Sequence, residues 1–308
     1  MRIFPGNKSF AFSIFDDTDH STLDNTEPVY KFLIELGIRT TKSVWPLASD
    51  CNARIAGSSL QDRPYLDFIR SLRDEGFEIA LHNVRNYDAP REDIRRGLDE
   101  FERLIGQRAS AHCNHAMNRD SLYWGEHRLE HPLIRLGYNV ATRFSRRCYF
   151  QGHVDESPYF WGDICKQEIK YVRNLVFDEI NLDRVNPTMP YYDPGKPYVN
   201  SWYSSSEGDT VYSFCKMLRE ENQDRLAAEG GVCIMYTHFA KGFYQSGTLY
   251  PEFVRLMRRL VSMNGWFVPV STLLDYLKSD RPTPTIPPAE LRRMELRWFA
   301  TKLRNGTS

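Results

Sequence analysis

The stretch FAFSIFDDTDHSTLDNTEPVYKFLIELG, Phe10 to Gly37, decides how this chain is read. It begins as an apolar run of strand length, breaks into three carboxylates and an imidazole at Asp16, Asp17, Asp19 and His20, and resumes with helical spacing. Neighbouring carboxylates repel, so a folded chain keeps such a cluster where water, cations or a bound metal can screen it. The cluster is therefore either an exposed loop or a site.

Working outward, residues 8 to about 142 alternate short apolar runs with amphipathic segments, the pattern of successive βα units. The strands expected are Phe10–Phe15, Thr40–Trp45, Phe77–Leu81, Ala109–Asn114 and Tyr138–Thr142. In the first helix Thr26 is the expected cap, Pro28 suits the opening turn, and Val29, Phe32, Leu33 and Leu36 share one face before Gly37. From Phe144 to Tyr203 the rhythm fails in a Tyr-, Trp-, Pro- and Arg-rich insert, within which Glu168–Phe177 alone reads as a strand. It returns with a helix over Asp209–Ala228, the strand Val232–Thr237, a further helix, and the strand Trp266–Val270. The fold class expected is α/β, a distorted (β/α) barrel of about seven parallel strands spanning residues 1–280. Residues 281–308 would add a proline-rich linker and a C-terminal amphipathic helix, on which Leu291, Met294 and Trp298 share a face that docks on the barrel or on a second subunit of a homo-oligomer.

The totals narrow the partners. Forty basic residues balance forty acidic ones in 308, so no long-range field selects nucleic acid or an anionic membrane. No eighteen apolar residues run together, so no membrane span is expected, and the N-terminus lacks the pattern of a secretory signal, which points to the cytoplasm. The six cysteines, Cys51 included, are scattered without zinc-knuckle spacing and read as reduced thiols.

In parallel α/β sheets the side chains at the carboxyl ends of the strands converge on one rim. Here those ends read Asp16-Asp17, His82, Asn114-His115, Arg143 and His238. Each has an ordinary explanation as a loop residue or a salt bridge; their joint placement on one rim is what points to chemistry. Two histidines and one carboxylate with an open position make a hydrolytic metal site. Asp16 and Asp17 point different ways, so one can bind a metal while the other acts as a base. Asp19 reads as a cap or supporting residue with no chemistry of its own.

The FDD at Phe15–Asp17, GFEIALH at Gly76–His82, the LYWG at Leu122–Gly125 and MYTHF at Met235–Phe239 resemble, in order and spacing, the polysaccharide deacetylase (NodB-like) family over about residues 8 to 278. The resemblance implies a distorted (β/α) barrel, a divalent metal ion and removal of acetyl groups from carbohydrates. Position by position, it implies that Asp16 is the general base, Asp17 the metal-binding aspartate, His82 the first histidine of an HxxxH metal pair, and His238 the donor of a proton to the leaving group. The second histidine of that pair is missing: Asn86 stands in its place, and the family's Arg-Pro-Pro-Tyr-Gly segment is replaced. Either Asn86 ligates weakly, or His115 enters from the next strand end, or no metal is held tightly; His115 restores two imidazoles and a carboxylate.

The function expected is a zinc-dependent (or Ni-, Co- or Fe-dependent) removal of an acetyl or related acyl group from an amino sugar, a sugar nucleotide or another precursor in glycan biosynthesis. Asn86, Arg143 and Trp161 are the expected substrate contacts: Arg143 holds Asp16 ionised, binds a substrate anion or forms a salt bridge at the barrel mouth, and Trp161 and its aromatic neighbours either stack on sugar rings or form a small core. The alternatives are a metal-free carbohydrate-binding pseudoenzyme and an amidase or deformylase on the same scaffold.

Overall fold

Every residue of β1 (Phe10–Asp16) is buried, because it is the strand on which the sheet closes. The computed structural model describes residues 3–49, 53, 55–279 and 281–305. In chain order β1 is followed by α1 (Leu23–Glu35), β2 (Thr41–Val44), α2 (Arg63–Asp74), β3 (Glu78–His82), α3 (Arg91–Ile105), β4 (Ala111–Cys113), α4 (Pro132–Ala141), α5 (Gly162–Glu168), β5 (Tyr171–Phe177) and β6 (Trp202–Ser206). Then come α6 (Val211–Met217), α7 (Glu220–Glu229), β7 (Val232–Thr237), the hairpin strands β8 (Tyr244–Gln245) and β9 (Thr248–Leu249), α8 (Pro251–Ser262), β10 (Gly265–Phe267), α9 (Val270–Lys278) and α10 (Pro288–Asn305). Strands β1 to β7 run parallel in sequence order, and β7 pairs back on β1 from Ala11 opposite Val232 to Asp16 opposite Thr237. The result is a closed seven-stranded barrel. It is distorted because β10 lies against Phe10–Phe12 while β2 meets β1 only at Phe15 and Asp16. Strands buried on both faces read as near-continuous apolar runs, which is why β1 and β7 lack alternation.

Several expected elements differ. Tyr138–Thr142 is no strand: it is the last part of α4 and the residue that caps it, which removes Arg143 from any strand end. A short apolar run does not distinguish strand from helix. Here Pro132 opens the helix, and the carboxylate of Glu295, from α10, accepts the backbone N–H groups of Glu130 and His131 at 2.5 and 3.1 Å just before it. Helix α1 starts a turn earlier than expected, at Leu23; the N–H of Thr22 donates to the Asn25 side chain at 2.9 Å, and Pro28 sits inside the helix. Residues 162–168 are helical, the single expected helix over 209–228 is broken between Met217 and Glu220, and β6, with the sequence WYSSS, carries no apolar run to announce it although all five residues are buried.

The C-terminal segment is part of the same body. Tyr192 of the insert donates its N–H to Pro284 O at 2.8 Å, and Ile286 returns one to Tyr192 O at 2.9 Å, so the proline-rich stretch is paired rather than free. Leu291, Met294 and Trp298 enter the main core as α10 packs on α4 and β5. Cys113, Cys148, Cys165, Cys215 and Cys233 are free thiols; Cys51 lies outside the described residues. Among the described residues no helix is long and apolar enough to cross a membrane.

Candidate functional site

The residues after β1 divide between two environments. Asp16 turns toward α1: its Oδ2 accepts the Tyr30 hydroxyl at 2.9 Å and faces the Lys42 ammonium at 2.8 Å, while Oδ1 accepts the backbone N–H of Phe239 at 2.8 Å. Asp16 and Lys42 are both fully buried, and this ion pair anchors β1 to β2 and to the turn after β7. Asp17, one residue on, faces the barrel interior and receives a bidentate pair from Arg173 of β5, at 2.8 and 2.5 Å. Burial is the largest influence on Asp17 and would raise its pKa, but Arg173, together with His82 and His238, outweighs it and holds the carboxyl below its usual range. The role expected of Asp16, a base at the mouth, thus falls on a carboxylate locked behind the sheet wall; its neighbour lies in the cavity.

Asp19 is the centre of the site. Its Oδ1 lies 3.0 Å from His82 Nε2 and 3.5 Å from His115 Nε2, and its Oδ2 lies 3.4 Å from His238 Nε2. Burial raises the Asp19 pKa, yet the surrounding imidazoles, His82 foremost, hold it well below the usual carboxylate value.

The neighbours of the two β3 and β4 histidines orient them. Asn118 donates its amide N–H groups to Arg85 O and Tyr87 O, both at 2.9 Å, so its Oδ1 must face His115 Nδ1, also at 2.9 Å. His115 therefore carries its proton on Nδ1 and presents the Nε2 lone pair. That nitrogen is buried and has no hydrogen-bond partner among the described residues. Burial lowers the His115 pKa, which keeps the ring neutral. His82 Nδ1 faces Cys113 Sγ at 2.8 Å and Cys113 O at 3.3 Å, leaving its Nε2 for Asp19. Asn83 follows His82 in the left-handed region (φ 51°) and accepts the His115 N–H at 2.7 Å, tying the ends of β3 and β4 together. Trp45 stacks on His82 and meets His115 edge-on; a side chain at Gly57 would strike the Trp45 ring.

Two donor sets have ligand atoms within 4.8 Å of one another: Asp19, His82 and His115, and Asp17, His82 and Cys113. The first fits a divalent ion, because it offers two imidazole lone pairs, one otherwise unused, and an ionised carboxylate. The second is the poorer set: both Asp17 oxygens are already held by Arg173, and burial, with Asp17 adding to it, raises the Cys113 thiol well above its ordinary pKa, which opposes the thiolate a metal needs.

On the other side of Asp19, His238 follows β7. Its Nδ1 lies 2.9 Å from Asp209 Oδ1, which also accepts the Tyr236 hydroxyl at 3.0 Å and the Lys241 ammonium at 2.8 Å. Burial disfavours the imidazolium, but the hydrogen bonds to Asp19 and Asp209 win and raise His238 to about 9. A cavity of about 490 Å³ opens above this cluster, lined by Asp17, Asp19, His82, Arg173, Asp209 and His238 and, farther out, by Trp124, Arg128, Tyr138, Arg146, Phe150 and Lys302.

The structure brings together Asp17, His82, His115 and His238 of the residues expected from sequence. It leaves out three substrate contacts. Asn86 is buried and spends its amide on Ile55 O at 2.5 Å and on the Ser49 hydroxyl. Arg143 is exposed after α4 and does not line the cavity. Trp161 is a core residue whose Nε1 donates to Asp120 O at 2.6 Å and whose ring meets His112 edge-on. Sequence reading missed Asp19, Arg173 and Asp209. The signal for Arg173 was present: a lone charge in the apolar strand YVRNLVF must be paired if it is buried.

Neither a protein-family model nor a curated relative matches the chain in sequence. Solved structures do. The Puue allantoinase superposes with a TM-score of 0.53 at 13% identity, over 91% of this chain and 93% of its own. A Pseudomonas aeruginosa PAO1 protein described as a probable polysaccharide deacetylase superposes with a TM-score of 0.53 at 12% identity, over 91% of this chain and 94% of its own. The chain has the NodB-like polysaccharide deacetylase fold. At these identities the likeness is one of architecture, and the chemistry has to come from the site.

Proposed function

We propose that this NodB-like protein is a metal-dependent hydrolase that removes an acetyl or related acyl group from an amino sugar or sugar precursor. The observation that carries this reading is the convergence on Asp19 of two imidazole lone pairs on one side and a protonated, carboxylate-backed imidazole on the other. Asp19, His82 and His115 hold the divalent ion, for which zinc suits the donors best. When bound, such an ion supplies Lewis acidity toward a substrate carbonyl and lowers the pKa of a coordinated water, toward about 7 in zinc enzymes.

The chain's own residues do the rest. Asp17, kept ionised by Arg173, is the base that takes a proton from the attacking water. This exchanges the roles implied by the resemblance: the base is Asp17 and the metal-binding aspartate is Asp19. His238 donates a proton from Nε2 to the departing nitrogen or oxygen; Asp209 binds its Nδ1–H, fixing the ring and keeping it charged at neutral pH. Arg173 and Lys241 neutralise Asp17 and Asp209, which would otherwise add to the negative charge beside Asp19.

The test is to assay the zinc-loaded protein against N-acetyl, N-formyl and cyclic-amide compounds, measuring acetate, formate and ring opening separately. Acetate release that disappears in both the His82→Ala and Asp19→Ala proteins supports deacetylation. Formate release or ring opening alone moves the assignment to a deformylase or cyclic amidase, and sugar binding with no hydrolysis in the zinc-loaded protein rejects catalysis.

A further inference from the structure

Arg128 is not explained by the hydrolytic machinery. It lies in the short helical turn Gly125–Arg128 after β4, is 3% exposed, and lines the same cavity as Asp19 and His238. Its guanidinium is packed over the Trp124 ring, 3.1 Å from the centroid, and lies 5.3 Å from that of Trp298. These rings hold its plane. Nothing satisfies its edge: Nε and Nη2 are buried and meet no acceptor among the described residues. Burial lowers its pKa to about 9, which still leaves a cation at neutral pH.

A buried, unpaired guanidinium is costly, and replacing such a group by an apolar one of similar volume is commonly neutral or stabilising. The fold alone therefore gives no reason to keep it. Two further cations stand on the same cavity wall. Arg146 makes long bonds to Ala116 O and Met117 Sδ, at 3.4 and 3.7 Å, and lies over the Tyr149 and Phe150 rings, with no carboxylate bound to it among the described residues. Lys302 of α10 sits 5.3 Å from the Trp298 ring, its pKa lowered to about 8 by burial and by the charge of Arg128, with Glu207 acting in the opposite sense.

We propose that the substrate carries an anionic substituent, a carboxylate or a phosphate, and that Arg128 binds it, flanked by Arg146 and Lys302. The proposal rests on the hydrolytic reading for the word substrate, but not for the anion. A guanidinium is the side chain best suited to an oxyanion, being planar, charged at neutral pH and rich in N–H donors, and the Arg128 side chain lines the cavity that would take the anion. The C-terminal helix thereby joins the site, because Trp298 and Lys302 both come from α10.

The experiment reads binding rather than turnover, so failure of the hydrolytic reading and failure of this one are separable. The full chain, zinc-loaded, is titrated calorimetrically with N-acetylmuramic acid, N-acetylglucosamine 6-phosphate and N-acetylglucosamine. One of the anionic probes should bind about tenfold or more tightly than the neutral one, the scale of a charge-assisted hydrogen bond, and which of the two does so distinguishes carboxylate from phosphate. Arg128→Met should erase the preference while leaving zinc content unchanged and the melting temperature the same or higher; Arg128→Lys should restore only part of the preference. Should Arg128→Met fail to fold, Arg146→Gln and Lys302→Gln should each reduce the preference. Equal binding of the neutral probe, absence of binding by both anionic probes, or a preference that survives these substitutions overturns the proposal.

Discussion

Replacing His115 by alanine tests the reading of the site most directly, because His115 completes the proposed donor set with Asp19 and His82. His115 Nε2 lies 3.5 Å from Asp19 Oδ1 and has no hydrogen-bond partner among the described residues, so its removal takes away one of three protein donors and disturbs no hydrogen bond on that side. Loss of a residue that merely orients a metal-bound histidine typically costs ~10–100-fold in affinity. Loss of the donor itself should cost at least about 100-fold, or about 2.8 kcal/mol. Asn118→Ala removes the acceptor that fixes the His115 Nδ1–H and should fall within the smaller range. Asn86→Ala should leave affinity unchanged, since the Asn86 amide is committed to Ser49 and Ile55. The assay is competition for zinc against a fluorescent chelator, with circular dichroism to confirm that each variant is folded. A folded His115→Ala protein that binds zinc as the parent does, or an Asn86→Ala loss as large as that of His115→Ala, refutes the ligand set.

Three further outcomes follow from the same geometry. Asp17→Asn should retain zinc and lose ~10²–10⁴-fold in turnover; loss of the metal along with activity would return Asp17 to the ligand set. Asp16→Asn, by contrast, strands the fully buried Lys42 ammonium and should destabilise the fold by about 3–5 kcal/mol in urea unfolding, so an unchanged midpoint contradicts the anchoring role. In the pH profile of turnover, His238 must be protonated to donate, so activity should fall as pH rises through the alkaline limb; Asp209→Asn removes a charge that raises the His238 pKa and should move that limb to lower pH, and a limb that stays in place excludes His238 as the donor.

Much of the architecture was legible from residues 8 to 142 and 232 to 270, where unbroken apolar runs alternate with helical faces. The run FAFSIF before a carboxylate cluster located the rim of the barrel. The strand ends carried His82, His115 and His238 to that rim, and His115 was one of three alternatives left open by the missing histidine at position 86. The failures share a cause. Tyr138–Thr142 was expected as a strand because periodicity over five residues cannot separate strand from helix, and what settles it is Glu295, some 160 positions away, closing the N-terminus of α4. Strand β6 went unseen because Ser204, Ser205 and Ser206 are buried by the barrel around them and not by their own polarity.

Composition, periodicity and the order of chemical groups along the chain determined the fold class and brought Asp17, His82, His115 and His238 to the mouth of the barrel. Which of Asp16, Asp17 and Asp19 faces which partner was decided only in three dimensions. Adjacent residues leaving a strand point in different directions, and the direction that holds is the one whose partner, Lys42, Arg173 or a trio of imidazoles, is delivered by a different strand. A carboxylate's role depends on the charge it faces, and that charge comes from residues too distant in sequence for local pattern to pair them.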